Sequence, residues 1–134
     1  MTAGIDDRTV AYVLAAQSYF EELKLVAAQL AGLLVLAAAG SKSATPDHPM
    51  LASAEQTYRN AADGLRSARV PPRAQMHHDH LLLAAAKLNG ALCSMRGTGD
   101  PLALLESAYA ELRSASRTLP GFQMISFERG CCAA

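Results

Sequence analysis

Three of the chain's four histidines fall within the string Met76-His77-His78-Asp79-His80. Imidazole titrates near neutral pH and is the commonest protein metal ligand, so such a string is the first place to look for chemistry. On a helix, His77 and His80 stand three residues apart, which sets two ring nitrogens within reach of one ion. His78 falls on the opposite border, so one site for all three rings is geometrically poor. Further donors would come from Cys131 and Cys132, and mixed imidazole and thiolate ligands suit zinc or copper. The metal expectation is therefore His77 and His80 with Cys131 and Cys132, His78 being the other candidate ring. A di-iron carboxylate site is excluded, because it needs inward Glu-x-x-His pairs. None occurs, and Glu21, Glu22, Glu55, Glu106 and Glu111 fall off the apolar stripes. The plainer reading takes these residues as ordinary surface and end-of-core histidines.

Arginines form a second group. Arg66, Arg69, Arg73, Arg113 and Arg117 should gather at the histidine-bearing end of a bundle, where guanidinium forks could hold a small anionic ligand. The competing reading is that arginine at a helix C-terminus simply complements the helix dipole. Cys-Cys-Ala-Ala at 131–134 formally matches a prenylation box, but no basic run precedes it. No phosphate-binding glycine loop, nucleophile elbow or triad spacing appears, so no catalytic residue and no cofactor are expected.

These residues must be positioned by helices. The 134 residues include 27 Ala and 19 Leu against 5 Val and 2 Ile, with 5% aromatic residues. Small and unbranched side chains favour helix, and the shortage of β-branched and aromatic ones counts against sandwiches and barrels. The length suits one domain, 1–134. Gly40 reads as the stop of a first helix at about 7–39. Thr45 and Pro46 read as the cap and first residue of a second, at about 46–69. Its stripe is Leu51, Ala54, Tyr58, Ala61, Leu65 and Ala68, at helical spacing. Pro71-Pro72 breaks it, and a third helix follows at about 73–96, with His77, Leu81, Ala84 or Ala85, Leu88, Leu92 and Met95 on one face. Asp100-Pro101 opens a fourth at about 101–119, striped by Leu105, Ala108, Leu112, Ala115 and Leu119. Short connections between helices of similar length predict an all-α, antiparallel up-down-up-down four-helix bundle.

The first helix is apolar over a wider arc. Ala16, Leu23, Leu30 and Ala37 form a spine, flanked by Tyr12, Tyr19, Val26 and Leu33 on one side and by Val13, Phe20, Ala27 and Leu34 on the other. Either this helix touches both neighbours and the tail, or it also meets a second subunit. Leu82 and Leu83, off the core face of the third helix, lean towards association. The tail, 120–134, carries Phe122, Met124, Ile125 and Phe127, too apolar for a solvated segment, and should fold back on the bundle.

Twelve basic and twelve acidic residues cancel, so no net field points to nucleic acid. The 17 uncharged residues between Lys24 and Lys42 only touch the lower limit for a membrane span, and the opening residues lack a secretory h-region. With an odd number of cysteines, the chain is expected to be cytoplasmic. The functional expectation is a non-catalytic binding or interaction protein that self-associates through the first helix and the tail. A zinc- or copper-binding bundle is the alternative.

Overall fold

In the computed structural model, residues 6–40, 48–97 and 99–119 are described. Asp6, in extended conformation, opens α1 (Asp7–Ala38) by accepting the Thr9 N–H at 2.8 Å. That satisfies one of the donors every helix start leaves free. Gly40 ends the helix at φ +79, a left-handed conformation in which a Cβ is strained.

The second helix, α2 (Pro49–Ser67), begins three residues later than the Thr45-Pro46 pair suggests. Pro49 sets the boundary: the residue before a proline is driven out of helical space, and His48 is extended at ψ 133. The His48 Nδ1 then caps the helix by accepting the Met50 N–H at 3.0 Å. Thr45 and Pro46 lie outside the described residues. At the other end Ala68 is already extended, because a helix continued to Pro71 would drive its ring into the Ser67 carbonyl. A single 3-10 turn (Pro72–Ala74) leads into α3 (Gln75–Arg96), so the α-helix starts two residues after Arg73. Asp100 caps α4 (Pro101–Thr118) through the Ala103 N–H at 3.2 Å. Asp100→Ala is expected to cost about 1 kcal/mol. Thermal unfolding followed by helical ellipticity would register it, and an unchanged midpoint would deny the cap any weight.

Contacts along the helices fix their directions. Gln29, late in α1, donates to Ser53, early in α2, at 3.3 Å. Arg96, ending α3, pairs with Glu55, early in α2, and Lys87 in α3 pairs with Glu111, late in α4. Tyr12 and His77, each near the start of its helix, meet across the bundle. The fold is thus an antiparallel up-down-up-down four-helix bundle, with α3 and α4 its most extensively packed pair.

Leu23, Leu30, Leu51, Leu65, Leu81 and Leu88 are the large side chains buried at its centre. Between them Ala16, Ala27, Ala54, Ala61, Ala84, Ala91, Ala108 and Ala115 are each at most 1% exposed. A methyl group is all that separates backbones there, which brings the axes close. In α1 the spine runs through Ala16, Leu23 and Leu30, while Ala37 is exposed; Val13, Tyr19, Phe20 and Leu34 are half-buried against the same core. Neighbouring helices therefore account for much of its wide apolar arc. They leave Val10, Leu14, Leu25, Val35 and Leu36 in solvent, along with Leu82 and Leu83 of α3. The tail, 120–134, lies outside the described residues. No helix among the described residues is long and apolar enough to cross a membrane.

Candidate functional site

The histidine string occupies the first turns of α3 and is divided by helical geometry. Successive residues turn by about 100°, so His77 and His78 can both face the bundle while His80 leaves on the other flank. His77 and His78 are 2% and 6% exposed. Both meet Tyr12 of α1, itself buried. The Tyr12 hydroxyl is hydrogen-bonded to Nδ1 of His77 at 2.7 Å, the His77 tautomer setting which of the two donates. Nδ1 of His78 is 3.5 Å from the same oxygen. The Tyr12 and His77 rings stand edge to face, 5.5 Å between centroids.

Burial raises the phenol of Tyr12, and the nearby Asp79 charge adds to the shift. Burial first, and then electrostatic coupling to the His78 and His80 imidazoles, pushes the His77 imidazole down to about 4. Burial also lowers His78, against the opposing pull of Asp79. The directions of these shifts hold all three groups neutral at physiological pH. General acid–base work needs a group poised near the working pH. This cluster is the opposite: a neutral polar clamp joining α1 to α3.

His80 belongs to a different network. Its Nδ1 lies 2.9 Å from Glu111, whose other oxygen accepts from Lys87 at 2.7 Å. The hydrogen bonds from Lys87 and His80 hold the Glu111 carboxyl below the usual range. The structure therefore joins His77 and His78 through Tyr12, and His80 to Glu111. Cys131 and Cys132 lie outside the described residues. Among the described residues no group of three or more His, Cys, Asp or Glu side chains could hold a metal ion.

Each of the expected arginines has its own surroundings. Arg66 is exposed and pairs with Asp63 one turn away. Arg113 and Arg117 are exposed on α4. Arg73 is near enough to Asp6 to act on its carboxyl, which the Thr9 hydrogen bonds and then Arg8 already hold below the usual range. Arg69 lies on the wall of a cleft of about 700 Å³ that Asp6 also lines. One side of that cleft is the first turns of α1, from Asp6 and Arg8 to Tyr19, and the other is the linker Ala68–Pro72.

Arg8, Tyr12 and Tyr19 were not among the expected site residues. The Tyr12–His77 pair had a signal, since each lies on the core stripe of its own helix and the topology sets both at one end. The cleft had none, because it depends on the path of an irregular linker. Comparison with models of known families, with characterised proteins and with solved structures finds nothing that matches this chain.

Proposed function

We propose that this chain is a non-catalytic binding protein that assembles with a second copy of itself through α1. Leu14, Leu25 and Leu36 carry the reading: they are 65%, 50% and 36% exposed on one side of that helix. Leu14 and Leu36 are each eleven residues from Leu25. An eleven-residue step is just over three helical turns, so the three side chains form a nearly straight ridge. The ridge is symmetric about Leu25. A two-fold axis passing beside Leu25 would set Leu14 against Leu36 of the second copy, and Leu25 against its own counterpart. Self-complementarity of that kind is what a closed, isologous dimer requires. A helix of 32 residues is about 48 Å long, enough for a contact of ordinary dimer size. The absence of an acid–base pair poised for catalysis at the Tyr12 cluster supports a binding role over an enzymatic one.

Cysteine cross-linking tests the register, in full-length protein carrying Cys93→Ser, Cys131→Ser and Cys132→Ser. Leu25→Cys alone should oxidise to a covalent dimer. Leu14→Cys should cross-link only when mixed with Leu36→Cys, since a disulfide demands Cα atoms within about 7 Å. Sedimentation equilibrium should give a dimer that Leu25→Asp dissociates by setting two carboxylates together. A monomer at every concentration, or cross-linking of Leu25→Cys no faster than of Leu102→Cys on α4, would refute the proposal.

A further inference from the structure

We propose that the cleft between the start of α1 and the Ala68–Pro72 linker binds a small amphipathic monoanion, a carboxylate attached to an apolar or aromatic body. Its volume, about 700 Å³, is that of a small-molecule site. Ala11, Ala15, Tyr19, Val70, Pro71 and Pro72 supply mostly apolar walls. Two arginines line it from different segments, Arg8 from α1 and Arg69 from the linker. Among the described residues Asp6 is the one acidic residue of the lining, and its carboxylate already accepts the Thr9 N–H. Among the described residues Arg69 has no carboxylate within ion-pair distance. The lining thus carries one net positive charge above an apolar floor. A monoanion with an apolar body matches both features; a bare phosphate dianion matches the arginines but not the apolar floor, and its charge exceeds the one net positive charge of the lining.

The site is also preformed. Pro71 and Pro72 restrict the linker backbone, which reduces the ordering that binding would otherwise require. Tyr19 is held by a close approach: a Cβ built on Gly64 would lie 2.2 Å from its Cε1, so the ring rests directly on the α2 backbone. Only glycine at 64 lets Tyr19 stand where it forms a wall of the cleft. Gly64→Ala must move that ring and reshape the cleft from behind, without touching either arginine.

Phenylbutyrate and octanoate are suitable probes, with phenylbutanol, octanol and inorganic phosphate as controls. Binding to the full-length protein would be followed by calorimetry and by the ring-proton resonances of Tyr19. The acids should bind with Kd of about 1 mM or tighter, and the alcohols about tenfold more weakly. Arg8→Gln/Arg69→Gln should bring the acids to the affinity of the alcohols and leave the alcohols unchanged. Gly64→Ala should weaken acids and alcohols together. Arg113→Gln, on another helix, should change nothing. Equal affinity for acid and alcohol, or acid binding that survives loss of both arginines, would overturn the proposal. So would phosphate binding as tightly as the acids, or Tyr19 resonances that no probe moves. Tighter acid binding in Phe122→Ser/Phe127→Ser would also overturn it, assigning the cleft to the chain's own C-terminal segment.

Discussion

Acidification from pH 7 to pH 4 is expected to remove about 3 kcal/mol of stability through His77 alone. Burial, first, and the neighbouring imidazoles hold this ring down to about 4 in the folded chain. In the unfolded chain it titrates near 6.5. Across that window the unfolded state takes up the proton and the folded state refuses it. Stability is therefore full above about pH 6.5, falls as the pH drops to about 4, and loses nothing more to this group below that. His78 is lowered for the same reason and acts in the same direction. Glu111 is lowered as a carboxylate, so its contribution is lost only as the pH falls below the ordinary carboxylate range. Urea unfolding at pH 7, 6, 5 and 4 would resolve the slope. The double variant Tyr12→Phe/His77→Leu removes both partners together, so neither is left buried and unpaired. It should lose most of the slope between pH 6.5 and 4. A wild-type slope that persists in the double variant would place the acid sensitivity elsewhere.

Leu88→Ala is expected to cost about 3 kcal/mol, whereas Leu83→Ala on the same helix should cost under about 0.5 kcal/mol. Leu88 is 0% exposed and Leu83 is 47% exposed. The buried residues three and four positions from Leu88 on α3 are Ala84, Ala85, Ala91 and Leu92, three of them alanine. Alanines have no rotamer to swing into a cavity, so the void remains and its full penalty is felt. The midpoint of thermal unfolding should fall by roughly 10 °C or more for Leu88→Ala. It should barely move for Leu83→Ala. Similar losses at both positions would mean that α3 does not present these faces to core and solvent.

The apolar stripes of α2, α3 and α4 were legible because each repeats at helical spacing and each meets the core on one face. Leu105, Ala108, Leu112 and Ala115 are all buried, as their spacing requires. Asp100-Pro101 and Gly40 were legible because a cap, a first-position proline and a left-handed glycine each have a single steric role. The start of α2 was less so: Pro46 and Pro49 both suit a helix start, and only the extended His48 decides between them. His80 and Lys87 are seven residues apart and share a flank of α3, but Glu111 between them required knowing how α3 and α4 align. Tyr12 and His77 could be assigned to their own helices, not to each other. The cleft was illegible, because its wall depends on Tyr19 resting on a glycine 45 positions away. Such contacts are set by tertiary packing, which local periodicity does not encode.

The alanine seams between the helices also shape how the protein answers to temperature. Alanine loses no rotamer freedom on folding, so ordering these positions costs only backbone entropy. It also hides little apolar surface per residue. Heat capacity rises on unfolding mainly through newly wetted apolar area. A bundle whose inner layers alternate leucine with alanine therefore wets less of it than one packed with leucine, isoleucine and phenylalanine. Its stability curve is correspondingly broad and shallow, gentle in the cold as well as in the heat.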